Sequence, residues 1–428
     1  MSVEPGSIVT LDIEKPTAGG RMLARHEGLV VLVWGAIPGE RVRARIERAS
    51  RSLAYAETVE IVTASPDRRA DGGDWRCGGS ALAHINYERQ VRLKAEIITD
   101  ALGRIGRLPL GEPPAVIPSP EHGYRMRARL HARDGRLGFF REGTHELCDP
   151  VVTRQLLPAT TGWLVAVQAL LARERLRGVV SMEIAENVAA DERACHLELA
   201  VGEEPARYEV VGKAGGLTGL SAHAGDRPSA MRVAGSPVVV DVLQAREGDA
   251  TSSLRLRRDV RAFFQGNRFL LERLVRHVLG LVPVGPVVDL YAGVGLFGLS
   301  VSAAGGEDVT VVEGDPVSGA DLEANAQPFG GRVAVRRESV EAYLAGSPTL
   351  APATFIVDPP RTGLSKGALA GLVRLVPPRI VYVSCDVATL ARDTRALLDA
   401  GYALNDLTGI DLFPNTAHVE TVASFTRL

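Results

Sequence analysis

Two short segments near the C-terminus carry residue types that can act together, Ser384-Cys385-Asp386 and His418-Val419-Glu420. A thiol can add to an electrophilic carbon, and a carboxylate can then remove a proton; together they make a nucleophile and a general base. Both follow a glycine-rich stretch, Asp289-Leu290-Tyr291-Ala292-Gly293-Val294-Gly295, of the kind that turns a strand into a helix around a cofactor. A thiol, a carboxylate and a cofactor turn in one α/β unit point to covalent chemistry on a base-like ring.

Each of these residues also has a plainer reading. Cys385 follows the run Ile380 to Val383 and precedes Asp386, a good N-cap for a helix through Ala388 to Leu398. A thiol there gains thiolate character from the helix dipole, yet cysteine is often only a small buried hydrophobe. Glu420 lies on a late strand among β-branched residues, where a charge is not fully buried without work or a partner; otherwise it is an outward-facing strand residue. Gly293, Gly295 and Gly298 form a literal G-x-G-x-x-G, and Glu313 lies 20 residues beyond Gly293, where it could bind ribose hydroxyls. That fits a nicotinamide cofactor as well as S-adenosylmethionine; the prefix Asp289-Leu290-Tyr291 favours the second, whose amino-acid tail needs polar neighbours rather than a helix end for pyrophosphate. Asp358-Pro359-Pro360-Arg361 ends another strand and is either a turn starter or part of the crevice beyond the strand ends, where Tyr291, Glu313, Asp358 and Cys385 would converge.

The elements that must position these residues fall into three textures. Residues 1 to 64 alternate apolar and polar positions in short runs broken by Gly19-Gly20, Gly28 and Pro38-Gly39, which reads as a small β-barrel. Tyr87 to Arg107 has helical periodicity and Pro109 to Pro120 reads as a linker. From Arg125 to Val242 the pattern is mostly strands, with a turn at Asp134-Gly135 and one helix over Gly162 to Arg177. From Phe263 strands alternate with helices (Val287 to Tyr291, Asp308 to Glu313, Thr354 to Asp358, Arg379 to Ser384), the signature of a doubly wound parallel sheet. Two strand-like runs, Tyr402 to Ile410 and Val419 to Thr426, close the chain.

Composition bounds what this assembly can be. A chain of 428 residues with 46% hydrophobic content supports two or three cored domains. No run has the layout of a signal peptide and none approaches the roughly 18 apolar residues that cross a bilayer, so a cytoplasmic protein without membrane or obligate protein partner is expected. Cys77, Cys148, Cys195 and Cys385 lack the spacing of a disulfide framework or a zinc site, as in a reducing compartment. The net charge of −2 makes no global case for nucleic acid. Local arginine clusters do: Arg41, Arg43 and Arg45 share parity and would project from one face of a strand, a backbone-phosphate stripe or a merely solvated face. Arg125 to Arg141 and Arg255 to Arg268 repeat the pattern.

Phe264-Gln265-Gly266-Asn267, Asp289 to Gly298, Asp358 to Arg361, Ser384 to Asp386 and His418 to Glu420, in that order, resemble the uracil-5 methyltransferase family that modifies ribosomal and transfer RNA. Residues 1 to 64, with Ala36-Ile37-Pro38-Gly39-Glu40, resemble its TRAM barrel. The resemblance covers nearly the whole chain. It implies a multidomain α/β protein: an N-terminal OB-like TRAM β-barrel (1–64), a central mostly-β domain (65–255, with helix 87–107 packing on the catalytic part) and a C-terminal Rossmann-type class I methyltransferase domain (256–428). It further implies that Cys385 attacks C6 of uracil, that C5 takes a methyl group from S-adenosylmethionine, and that Glu420 removes the C5 proton. Gln265, Tyr291, Gly293, Gly295, Glu313 and Asp358 would hold the methyl donor, and the partner would be RNA, ribosomal in preference to transfer RNA.

The sequence departs from that family in places. Many ribosomal-RNA members hold an iron–sulfur cluster on four cysteines; the corresponding positions here read Asp71, Cys77, Ser80 and Cys148, so no cluster or other metal is expected and the two thiols would be remnants. Asp386-Val387 replaces a common Asn-Pro; Asp386 can still cap the helix, but its negative charge would oppose thiolate formation. Leu296 replaces a polar residue. A nicotinamide oxidoreductase would leave the barrel, Cys385 and Glu420 without a task; a non-catalytic RNA-binding protein would account for the arginines alone.

Overall fold

The computed structural model describes residues 3–70, 74–226, 229–249, 252–347 and 353–428. Strands Ile8–Pro16, Met22–His26, Leu29–Trp34, Arg41–Ala49 and Leu53–Thr63 close into a five-stranded barrel. Alternation drives it: Leu11, Ile13, Met22, Ala24, Val31, Val33, Val42, Ala44 and Ile46 turn inward and are buried. Arg41, Arg43 and Arg45 alternate outward with Val42 and Ala44, all three exposed. Two of them have acidic neighbours, Arg41 to Asp12 at 3.8 Å and Arg43 to Glu60 at 2.5 Å.

A central seven-stranded sheet carries Arg127–Arg133, Arg136–Phe140, Val179–Glu186, Arg193–Leu199 and Gly219–Ala224 among its strands. Asp134 and Gly135 both take positive φ (52° and 76°), the conformation a two-residue hairpin turn requires. The helix expected over Gly162 to Arg177 runs Pro158–Arg173, because Pro158 is suited to its first turn. Hairpin Val238–Gln244 with Ser253–Asp259 pairs separately, and Leu243, Leu254 and Leu256 share the core of the C-terminal sheet. The expected boundary between residues 255 and 256 falls inside this hairpin.

The C-terminal sheet has eight strands in the order Val333–Arg336, Val309–Val312, Val287–Leu290, Thr354–Val357, Arg379–Ser384, Glu420–Arg427, Tyr402–Ile410 and Val116–Ile117. Its first five strands are parallel; Glu420–Arg427 runs antiparallel to both neighbours. The stretch Pro109 to Pro120, expected as a linker, contributes the edge strand Val116–Ile117, which pairs with Gly409 and Ile410. The helix Tyr87–Arg104 packs on helix Val387–Asp399 and between barrel and sheet. Its Leu93, Ile97, Ile98 and Ala101 join one apolar core with the barrel interior and with Val387, Ala417 and Val419.

Contrary to what their spacing suggests, Cys77 and Cys148 form a disulfide, with Cα atoms 5.8 Å apart although 71 residues separate them in sequence. Cys77 bridges to Arg141 and Cys148 pairs with Phe139 across a short ladder, so tertiary pairing brings together what spacing could not reveal. Among the described residues no helix is long and apolar enough to cross a membrane.

Candidate active site

A cavity of about 660 Å³ opens beyond the carboxyl ends of the parallel strands, where the strand order reverses around Val287–Leu290. Gln265, Tyr291, Gly293, Glu313, Asp358, Cys385 and Glu420 all line it. The order of the sheet explains the convergence. Tyr291, Glu313, Asp358 and Cys385 each follow the last residue of a parallel strand. Glu420 starts the antiparallel strand, and the pairing of Ser384 with Thr421 sets it beside Cys385.

Gly295 does not line the cavity. It caps helix Leu296–Ala303 with φ 102°, and a Cβ there would collide with the Leu299 side chain. Asp289, read from the sequence as a polar neighbour for the donor's tail, is fully buried beneath the turn. Its Oδ2 accepts the Gly298 N–H at 2.7 Å, its Oδ1 has no partner, and burial pushes it up to about 8. Tyr291 takes φ 61°, unusual for a residue with a Cβ, and this turns the chain at the cavity wall.

The far end of the cavity suits a nucleoside carrying hydroxyls. Glu313 Oε2 accepts the Gly293 N–H at 2.8 Å and Oε1 accepts the Asp315 N–H at 2.6 Å. These bonds fix a carboxylate where two hydroxyl donors could still reach it. Gly293 takes φ 57°, and a Cβ placed on it would have no atom within 4 Å, so the turn leaves room there. The residues present therefore fit S-adenosylmethionine. They do not fit a metal cluster: Cys77 and Cys148 are spent on each other, Ser80 offers no thiolate, and Asp71 lies outside the described residues. Among the described residues no group of three or more His, Cys, Asp or Glu side chains could hold a metal ion.

The electrostatics at the near end are those of crowded acids. Glu420 is 1% exposed and neither carboxylate oxygen has a partner. Burial holds it well above the usual carboxylate range, the charge of Asp358 adds to this, and Arg361 opposes it. Asp358, bonded to Gln265 Nε2 at 3.3 Å, is pushed up to about 7 by burial. Burial likewise pushes the Cys385 thiol up to about 11, with Glu420 and Asp358 adding to the effect. The helix end itself is capped by Asp386, which accepts from the Ala388 and Thr389 N–H groups. The opposing influence is the positive charge of Arg361, whose Nη2 lies 3.4 Å from His418 Nε2.

Several cavity residues escaped the sequence reading of the site. Arg127 comes from the central sheet and Arg125 from just before it, where it bridges to Asn267; Phe263 is 60% exposed at the rim, and Asp315 and Ser318 open the helix after Glu313. The arginine clusters and the Asp-Pro helix start were the available signals.

The TRAM domain model matches residues 2–59, and the tRNA (Uracil-5-)-methyltransferase model matches residues 349–427. The chain is 31% identical to the 23S rRNA (uracil(1939)-C(5))-methyltransferase RlmD of Halomonas elongata, over 94% of this chain and 86% of that protein. It is 32% identical to the protein of the same name from Pseudomonas entomophila, over 96% and 92%. A crystal structure of Pyrococcus abyssi tRNA (uracil-54, C5)-methyltransferase in complex with S-adenosyl-L-homocysteine shares the fold, with a TM-score of 0.77 at 24% identity over 98% of this chain and 100% of that one. A thiol and an unpartnered carboxylate at adjoining strand ends, a turn suited to the methyl donor and these matches lead to one assignment: the chain belongs to the S-adenosylmethionine-dependent RNA uracil-5 methyltransferase family.

Proposed function

We propose that this enzyme makes 5-methyluridine in 23S ribosomal RNA through a covalent Cys385 adduct, with Glu420 as the base. The observation that carries the reading is Glu420 itself, a carboxylate buried without a hydrogen bond in the cavity that also holds Cys385. A buried polar group left without a partner costs about 1–3 kcal/mol, so such a group is kept for chemistry or for a ligand.

Bound in the cavity, S-adenosylmethionine supplies an electrophilic methyl group on a cationic sulfonium. The Cys385 thiolate adds to C6 of the flipped-out uracil, forming a C–S bond and moving the ring's electron pair toward C5 and O4. C5, now nucleophilic, takes up the methyl group as the sulfonium carbon–sulfur bond breaks. Glu420 then removes the C5 proton. That electron pair restores the C5=C6 double bond and expels the Cys385 thiolate. The positive charge of Arg361 favours the anionic sulfur that both addition and departure require. Gln265, Tyr291, Gly293, Glu313 and Asp358 would hold the donor. Gly295 would serve it only indirectly, by shaping the turn.

The ribosomal target is favoured because the RlmD relatives are 31% and 32% identical over nearly the whole chain, against 24% for the tRNA enzyme. A transfer RNA uridine is the second reading, since the structural neighbour acts on tRNA. Either substrate suits a cytoplasmic enzyme. The test is methyl transfer from labelled donor to unmodified ribosomal and transfer RNA transcripts, with the product nucleoside identified by mass. The expected result is 5-methyluridine in 23S RNA from the wild type and none from Cys385→Ala. Transfer to tRNA alone would replace the substrate, and product from Cys385→Ala would overturn the covalent mechanism.

A further inference from the structure

Lys94 is a lysine with 0% side-chain exposure, and its ion-pair partner Asp411 is equally buried. Lys94 Nζ donates to Asp411 Oδ1 and, at 2.9 Å, to the Phe413 carbonyl. The Tyr87 hydroxyl donates to Asp411 Oδ2 at 2.9 Å and accepts the Ser119 N–H at 2.7 Å. Gln90 completes the grip: its Nε2 donates to Asn415 Oδ1 and its Oε1 accepts the Asn415 N–H, both at 2.9 Å. Positions 87, 90 and 94 follow the spacing of one helix face, so this face of Tyr87–Arg104 holds residues 411–415 by side-chain bonds alone.

That segment begins the turn between strand Tyr402–Ile410 and strand Glu420–Arg427. Ile410 pairs directly with Glu420 across the ladder, so the turn fixes where the base strand starts. Leu412 and Phe413 are themselves cavity walls, and the Phe413 ring meets His418 edge-on at 6.1 Å. Burial lowers the proton affinity of Lys94, and Asp411 opposes this without overcoming it. For stability alone, apolar residues of similar volume would serve a buried pair as well or better. The bonds to one backbone carbonyl and one carboxylate are what an apolar pair could not supply.

We infer that Lys94, acting through Asp411 and the Phe413 carbonyl, is a positioning residue that sets the base Glu420 and the Phe413 wall against the target ring. The inference rests on the reading of Glu420 as the base. Misplacing Glu420 slows removal of the C5 proton but leaves thiol addition and methyl uptake in place, so the methylated enzyme–RNA adduct builds up. The test is the double variant Lys94→Met/Asp411→Asn, which removes both charges and leaves no uncompensated ion in the core. In the folded double variant kcat falls about tenfold, KM for RNA and donor stays within about threefold, and labelled methyl appears in a covalent protein–RNA band. Wild-type kcat without that band overturns the inference and makes the pair merely structural. Should the double variant not fold, Tyr87→Phe deletes one hydroxyl from the same carboxylate; a drop in kcat with adduct build-up supports positioning, and wild-type behaviour overturns it. A wild-type enzyme that makes no 5-methyluridine sinks the functional reading instead, whatever the variants do.

Discussion

Glu420, Asp358 and Cys385 share one buried cavity and each is held above its ordinary ionisation range, so in the ligand-free enzyme near neutral pH the cavity retains protons. A cationic ligand stabilises the anionic form of each group and releases those protons. Donor affinity should therefore rise as pH climbs from about 6 to 8, through the value near 7 for Asp358, and calorimetry in buffers of different ionisation enthalpy should register proton release. Proton uptake, or affinity flat across that range, would contradict this account of the site. Arg361 is the opposing charge on the thiol, and Arg361→Gln should shift the rising limb of the kcat/KM profile to higher pH and cut the rate at pH 7.5 by roughly 10- to 100-fold. A uniform loss at every pH would instead mean that Arg361 only binds RNA. Glu420 stood out in the sequence as a charge among β-branched residues, and Cys385 as a thiol between an apolar strand and the N-cap Asp386. Their adjacency was not legible there, since it depends on the pairing of Ser384 with Thr421, a register that no local spacing encodes.

The strand-to-helix turn over Asp289 to Gly298 shows how an element can be readable in outline and misread in detail. Its glycines announced a cofactor turn, and a Cβ on Gly298 would indeed meet Val311 at 2.5 Å and Asp289 at 3.0 Å. Asp289 looked like a donor contact but is the turn's internal acceptor, because its strand position points under the helix rather than into the cavity. Its carboxyl is held protonated up to about 8, above its unfolded value near 4. The stability it contributes is thus complete below about pH 4 and is lost as pH rises through about 8. Asp289→Asn keeps an acceptor for Gly298 and cannot ionise. Urea unfolding should show the stability of the variant relative to wild type rising between pH 5 and pH 9 by on the order of 4 kcal/mol; no change between the two would remove Asp289 from the linkage. The edge strand Val116–Ile117 was illegible for another reason: two residues in a proline-rich run become a strand only because Gly409 and Ile410 offer an open ladder.

At the scale of the whole molecule, the barrel is not a bead on a string. Its interior continues through Leu93, Ile97 and Ala101 into Val387 and Val419, which lie two residues after Cys385 and one before Glu420. Barrel and catalytic sheet should therefore unfold together, and Leu93→Ala, costing roughly 2–5 kcal/mol, should lower one calorimetric transition rather than split off a barrel peak. A separate low-temperature transition for residues 1–64 would contradict the shared core. Sequence texture separated barrel, central sheet and parallel sheet, because periodicity reports local faces. It could not show which faces meet, nor that Cys77 would find Cys148. The shared core also orders events during synthesis. The barrel is translated first, yet Ala417 and Val419, which complete its apolar surroundings, follow it by about 350 residues. At roughly 5–20 residues per second the nascent barrel waits tens of seconds with an uncovered apolar side, and a growing chain of this enzyme must stay unfinished until its catalytic strands arrive.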